Sequence, residues 1–388
     1  VARHYLDHAS TSPLRPEAAA ETISWLARSQ HGEVGDPGRI HVEGMQARVA
    51  LEDARERVAA LLGARSREVV FTSGATEAIA AATWGALRRA AAEGHRPEVV
   101  LSAVEHSAVR RSAATFADAL GGSVTTVGVD GVGRIDADEL LSEVGPTTAL
   151  VHVQWGNHEV GTLQPVAEVV DRCRELGVLV HVDAAQAAGR VPLGLGALGA
   201  DLVSVSGHKL GGPAGTGALV VRRGLRVEPL LQGGDQERAR RAGVEDVPAL
   251  VGLGAAAAAL DDGLLEEEER RCRALTARLV AGLTAVDGVQ LLGDPRPHGR
   301  LPHLVCVAVE GVEPQGVLLG LDQRGVAAHS GSACASEGLE PSPVLEAMGV
   351  DAQRSLRLSV GWSTTSDDVE AVLTALPDVV GRLRSLAG

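Results

Sequence analysis

The chain has 388 residues, 45% of them hydrophobic and 22% charged, and a formal net charge of −14 at pH 7. This is the composition of a soluble globular protein long enough for a large core and more than one domain. The acidic balance argues against nucleic acid or an anionic membrane as a direct partner, and no apolar run approaches the ~18 residues that cross a bilayer.

In chain order, residues 1–7 lack the apolar core of a signal peptide. A helix is predicted over 43–62, with Ala47, Leu51, Ala54, Val58 and Leu61 on one face. A strand over 68–72 runs into Ser73-Gly74-Ala75-Thr76-Glu77 and an Ala-rich helix. Further strands fit 99–101, 124–129, 149–153, 179–182, 202–205 and 218–221, and helices start near His106 and cover 135–144 and 166–176. Strands alternating with helices imply a mostly parallel sheet covered on both faces. After about Val247 the pattern changes to two long Ala/Leu/Glu-rich segments. Short elements follow at 304–309, 316–321, 326–328 and 356–360, with a final helix from Asp367, as in a smaller α+β domain.

Candidate chemistry sits at predicted strand ends, where open α/β sheets bind ligands. The Gly74-Ala75-Thr76 turn opens a helix, and its backbone N–H groups suit a phosphate. Asp183 closes a very apolar strand. It can cap the next helix or face a buried cation, and Gln186 can reach the same ligand or complete the cap. His106 and Asn157 each follow a strand, in Glu105-His106-Ser107 and Gly156-Asn157-His158-Glu159. Either residue suits a turn as well as a site.

Lys209, in Ser206-Gly207-His208-Lys209-Leu210-Gly211-Gly212, is the only lysine among 36 basic residues. Where arginine serves for charge, a retained lysine points to chemistry that arginine cannot do, such as Schiff-base formation by a neutral amine. A phosphate cradle, a carboxylate for a ring nitrogen, an imidazole for stacking and one lysine form the inventory for pyridoxal phosphate. The four cysteines, at 173, 272, 306 and 334, have neither CxxC nor metal-ligand spacing and read as reduced thiols of a cytoplasmic protein. Cys173, Cys272 and Cys306 fall inside helix or strand patterns, as small buried hydrophobes do. Cys334 stands in a run of Gly, Ser and Ala, where a reactive role is favoured over packing.

Taken together, the motifs resemble the cysteine desulfurases, fold-type I pyridoxal-phosphate enzymes of the class V aminotransferase group. The resemblance runs nearly end to end: Tyr5-Leu6-Asp7-His8-Ala9-Ser10-Thr11, Thr72 to Glu77, Glu105-His106, Asn157 to Gly161, Asp183-Ala184-Ala185-Gln186, Ser206 to Lys209, Gly233 to Glu237, Gly331-Ser332-Ala333-Cys334 and Arg357-Leu358-Ser359. It implies an α/β fold with a mostly parallel seven-stranded sheet in a large cofactor-binding domain (16–258). A smaller α+β domain (1–15 and 259–388) would carry the cysteine loop. The unbroken segment from Cys334 to Leu339-Glu340-Pro341-Ser342 looks like the long-loop subgroup serving iron–sulfur assembly and tRNA thiolation.

The resemblance implies that Lys209 forms the Schiff base and moves protons, Asp183 holds the ring nitrogen protonated and Gln186 contacts the ring hydroxyl. His106 stacks on the ring and takes part in acid–base steps. Thr76, Ser206 and His208, with backbone near Ala75, hold the phosphate. Asn157 and Arg357 bind the substrate carboxylate, and Cys334 takes the sulfur of L-cysteine as a persulfide for a sulfur-acceptor protein. A homodimer is also implied. Three positions depart from the family pattern: Asp36 replaces an Asn, placing a carboxylate near the expected substrate carboxylate; His158 replaces an Asn; and Val244 replaces a Thr that reaches the partner subunit's phosphate. A lyase or aminotransferase acting on another amino acid, and a sulfur-relay or scaffold protein without turnover, are the alternatives.

Overall fold

The computed structural model describes residues 2–261, 263–330, 341–351 and 354–387. Its strands are β1 (His4–Tyr5), β2 (Val69–Thr72), β3 (Glu98–Ser102), β4 (Ser123–Val127), β5 (Thr148–Gln154), β6 (Leu179–Asp183), β7 (Leu202–Ser206), β8 (Gly217–Val221), β9 (Val289–Leu292), β10 (Leu304–Val309), β11 (Val326–Ala327) and β12 (Ser355–Ser359). Seven of them form one sheet in the order β2-β8-β7-β6-β5-β3-β4, in which β8 alone runs antiparallel to its neighbours.

Both faces of this sheet are buried, as its near-continuous apolar strands require. Val69, Phe71, Val100, Val151, Val153, Val180, Val182, Val203 and Val205 face one core, and Val70, Val99, Leu101, Leu150, Leu202 and Leu219 face the other. The first face is covered by helix α2 (Val42–Leu62) through Leu51, Ala54, Val58 and Leu62. Each such Leu or Val side chain contributes about 1.5–3 kcal/mol on burial. Helices α3 (Ala75–Ala92) and α4 (Ser107–Ala119) cover the second face. Helix α1 (Pro16–Gln30), for which the pattern gave no prediction, packs on the apolar helix Val247–Ala258 and has Pro16 at its first position, where the missing N–H costs nothing.

A second, antiparallel sheet has the order β12-β10-β9, and β1 pairs in parallel with β11. Helices Leu264–Leu283 and Ser366–Ala387 bury Cys272, Leu275, Leu279, Val369, Val372 and Leu376 in a separate core with Val305, Val307, Leu356 and Leu358. The N-terminal strand therefore packs with the C-terminal third of the chain. Among the described residues, no helix is long and apolar enough to cross a membrane.

The sheet positions the site through its parallel strands. β2, β3, β5, β6 and β7 all run the same way, so Thr72, Ser102, Gln154, Asp183 and Ser206 end on one edge.

Candidate active site

A cavity of about 500 Å³ opens at that edge. Ser73 to Thr76, His106, His158, Asp183, Gln186, Ser206, His208, Lys209 and Arg357 line it. The fold thus brings together residues as far apart in the sequence as Ser73 and Arg357, the latter from the second sheet.

One end of the cavity is made by the β2–α3 turn. Gly74 stands before α3 with φ of 153°, and no described side chain caps the helix. The first N–H groups of a helix have no acceptor within it, so the turn presents donors and the positive end of the helix dipole. A Cβ on Gly217 of β8 would lie 2.6 Å from the Gly74 Cα, so this turn can sit where it does only beside a glycine.

Lys209 lies in the short 3₁₀ turn Gly207–Lys209 after β7. Four successive carbonyls of this turn are held by groups remote in sequence. The Ser12 amide donates to His208 O at 3.1 Å, Arg190 Nη2 to Lys209 O at 2.8 Å, Arg15 Nε to Leu210 O at 3.0 Å, and the Arg15 amide to Gly211 O at 2.9 Å. Arg15 is itself fixed by a bidentate pair with Glu268 at 2.8 and 2.6 Å. No sequence pattern had pointed to Arg15 or Arg190. Each is a lone arginine in an arginine-rich chain, and only its neighbours in space reveal the role.

Asp183 Oδ1 accepts from the Ala185 amide at 3.0 Å and from the Ser204 hydroxyl at 3.1 Å, which orients the carboxylate. The group is 8% exposed, and no described Lys, Arg or His forms a salt bridge with it. Beside it, Glu105 is fully buried. Burial, followed by the Asp183 charge, pushes its carboxyl up to about 8, which favours the neutral acid. Its Oε1 accepts from the Gln154 amide at 2.8 Å, while Oε2 has no partner among the described residues.

His106 caps α4, its Nδ1 accepting from the Ala108 amide at 3.1 Å. That bond fixes the tautomer with the proton on Nε2. Burial and then the Lys209 charge lower its pKa, so the ring is a neutral N–H donor. His158 meets it edge to face, with ring centroids 5.0 Å apart, and burial keeps His158 neutral as well.

Arg357 reaches the cavity from β12. Its Nη1 donates to His158 O at 2.9 Å, and its Nη2 to Ser10 Oγ at 2.7 Å and Asp7 Oδ1 at 3.1 Å. The guanidinium is 1% exposed and its Nε has no partner among the described residues. Asp7 and Ser10 thus hold Arg357 in place, a role that their motif did not disclose.

Three expected residues sit differently from the sequence reading. Asn157 is absent from the cavity wall. Its Oδ1 accepts from the Glu159 and Val160 amides at 2.8 and 2.9 Å, and its Nδ2 donates to Val104 O at 3.2 Å. Its amide closes the turn that places His158, and the neighbour, not Asn157, lines the cavity. Asp36 also lies elsewhere: its Oδ1 accepts from the Gly38 amide at 2.7 Å, and Arg39 pairs with Oδ2 at 3.2 Å, in a separate cavity with Arg48, Arg55 and Glu237. Within one chain it is not near Arg357. Gln186 does line the site, but its Nε2 donates to Ala9 O at 2.9 Å and its Oε1 lies 3.2 Å from His303 Nε2, so the amide is already partly committed.

Cys334 lies outside the described residues. The chain on either side of 331–340 is anchored at the cavity wall. His329 exchanges backbone hydrogen bonds with Arg357, and the Ser342 hydroxyl bonds to Glu159, next to His158. Cys173, Cys272 and Cys306 are free and buried. Burial pushes the Cys173 thiol up to about 11 and the Cys306 thiol up to about 12, which leaves them inert.

The aminotransferase class-V family model matches residues 4–372. A cysteine desulfurase of Gluconacetobacter diazotrophicus is 40% identical over 99% of this chain and 94% of its own length, and an IscS-like cysteine desulfurase of Mycobacterium tuberculosis is 42% identical over 99% and 98%. Among solved structures, a NifS-like protein superposes with a TM-score of 0.89 at 30% identity, covering 98% of this chain and all of its own. DndA from Streptomyces lividans gives a TM-score of 0.76 at 34% identity, covering 92% and 99%.

Proposed function

The chain belongs to the aminotransferase class-V family, and we propose that it works as a cysteine desulfurase, releasing L-alanine from L-cysteine and passing the sulfur through Cys334. The cofactor of this family is pyridoxal 5'-phosphate, and the residues fit it. The uncapped start of α3, with Ser206 and His208, suits the phosphate. Asp183, a buried carboxylate with no cationic partner among the described residues, suits a protonated ring nitrogen. The observation that carries the reading is Lys209, the chain's one lysine, in the same cavity as that carboxylate. When bound, the cofactor supplies a carbonyl for Schiff-base chemistry and a ring that withdraws electrons from the substrate's α-carbon.

The chain's own groups then divide the work. The Lys209 amine would hold the cofactor through its carbonyl carbon and is the base placed to move the substrate's α-proton. Asp183 would hold the ring nitrogen in its charged form, and His106 presents its Nε2–H to the cavity. Arg357 takes the substrate carboxylate, its unpaired Nε offering a donor; a guanidinium suits that partner in a bidentate fork. The Cys334 thiolate attacks the substrate sulfur. The C–S bond breaks as the S–S bond forms, leaving a persulfide on Cys334 and a carbon that is protonated to give alanine.

The sulfur acceptor belongs to the iron–sulfur scaffold or thiolation-enzyme class, met in the cytoplasm, where the buried free thiols stay reduced. We assign 16–258 to the large domain and 1–15 with 259–388 to the small one, supported by the two separate sheets and by the pairing of β1 with β11. A homodimer accounts for the exposed apolar side chains Ile40, Val42, Met45 and Val49 at the start of α2. In such a dimer Asp36, distant from its own cavity, would act at the neighbouring subunit's.

The test is incubation with L-cysteine, followed by amino-acid analysis and mapping of persulfide to its residue. Equal amounts of alanine and Cys334-bound sulfur are expected in a single turnover. Absence of both products overturns the reading, and alanine formation that survives Cys334→Ser points to a lyase on the same scaffold.

A further inference from the structure

Glu237, Arg238 and Ala239 have φ of 49°, 58° and 59°, three successive non-glycine residues in the left-handed region. Each such residue costs of order 1–3 kcal/mol and persists only where its surroundings dictate it. Here they do. The Glu237 carboxylate is buried and receives Arg55 Nη1 and Nη2 at 2.5 and 2.7 Å, together with the Phe71 amide at 2.8 Å. The Arg55 guanidinium also lies over the Phe71 ring at 4.5 Å, and Arg240 Nη2 donates to Val69 O at 3.2 Å. The strained turn is therefore riveted to β2, the strand that runs directly into the Ser73–Thr76 turn.

The next residue is Arg241. Its Nε donates to Glu77 Oε1 at 2.8 Å and its Nη2 to Oε2 at 3.2 Å. Glu77 is in the first turn of α3, lines the cavity, and accepts from the Ser73 amide at 2.8 Å. This puts a carboxylate at the helix end whose free N–H groups suit a phosphate. Alone, it would repel a phosphate dianion and compete for the same dipole. Paired with Arg241, it organises the turn without that repulsion.

We propose that Arg241 is a charge-compensating positioning residue for the cofactor phosphate, and that the left-handed turn at 237–239 is the clip that holds it against Glu77. This rests on the pyridoxal-phosphate reading above. It also bears on Val244, which is 64% exposed and offers no hydroxyl: neutralising Glu77 from within the chain favours phosphate retention without a donor from that position.

The test is a double-mutant cycle read as the cofactor dissociation constant, with purified protein stripped of cofactor and titrated with pyridoxal phosphate while the Lys209-dependent absorbance band is followed. Arg241→Gln is expected to weaken binding about tenfold, Glu77→Gln to leave it unchanged or tighten it, and the double variant to return to within about threefold of the parent. Arg241→Lys, which keeps the charge, should stay close to the parent. The Arg241→Gln defect should shrink in high salt. If Glu77→Gln weakens binding as much as Arg241→Gln and the double variant recovers nothing, the pair is a mechanical strut and the compensation idea is overturned. Absence of the band in the unsubstituted protein overturns the cofactor reading itself, and the inference with it.

Discussion

The two ends of the cavity are held in different ways. At the phosphate end, the groups that face the ligand are largely backbone: the uncapped start of α3 and the 3₁₀ turn of Lys209, whose carbonyls His208 to Gly211 are each held by Ser12, Arg15 or Arg190. At the substrate end the facing groups are side chains, Arg357 from β12 and the His106 and His158 rings, and they are held by Asp7, Ser10 and the Asn157 turn. Backbone cradles tolerate changes of side chain around them. A site made of side chains can change its substrate with one substitution. The departures from the family pattern fall at both ends, His158 beside the substrate side chains and Val244 in place of a phosphate donor, while Gly74 and the lysine turn are kept.

The largest effect should come from Lys209→Arg. It keeps the charge and the packing but removes the only amine able to form a Schiff base. Turnover should fall by at least about a thousandfold, with loss of the cofactor–lysine band in an absorbance scan. Retained turnover would move the chemistry away from this end altogether. Next, Arg357→Lys replaces the fork by a point charge, and KM for cysteine should rise about tenfold with kcat less affected; steady-state kinetics separate the two. An unchanged KM would leave the substrate carboxylate without a partner at this end.

Asn157→Ala sharpens the contrast further. The amide makes three bonds to backbone and none to the cavity, so its loss should appear first as a drop of about 2–3 kcal/mol in stability, read as a lower Tm. A large rise in KM at unchanged Tm would restore Asn157 to the role of substrate ligand. The smallest effect concerns Glu105. Its folded pKa of about 8 lies above the usual carboxyl value of 4.5 because of burial and then Asp183. Between those two values the folded state holds a proton that the unfolded state has lost, so this group's contribution declines as pH rises through that window. Glu105→Gln should flatten the fall of Tm between pH 5 and about 8; an unaltered slope would mean that the acid is not the source.

The sheet was legible because both periodicities are local. Strands 202–205 and 218–221 were anticipated within a residue of Leu202–Ser206 and Gly217–Val221, and helix 43–62 within one residue of its start. The helix anticipated over 135–144 is shorter, Ala137–Ser142, because Asp136 caps it by accepting from the Asp138 and Glu139 amides. The lysine was legible for a chemical reason, as the one amine in an arginine chain. Asn157 was not. Its residue type and strand-end position fit both a ligand and a turn clamp, and only the distances to the Glu159 and Val160 amides decide between them.

The sequence by itself determined the cofactor chemistry, through Lys209, Asp183 and the Gly74 turn, since each announces itself within a few residues of its own strand end. The tertiary structure alone decided which charges meet. Arg241 faces Glu77 across 164 positions, Arg357 faces Asp7 across 350, and Asp36 faces away from both. The reason is physical. Periodicity and capping are set by neighbours along the chain, whereas the partner of a long charged side chain is set by whichever elements the packing of the sheets and helices brings alongside it.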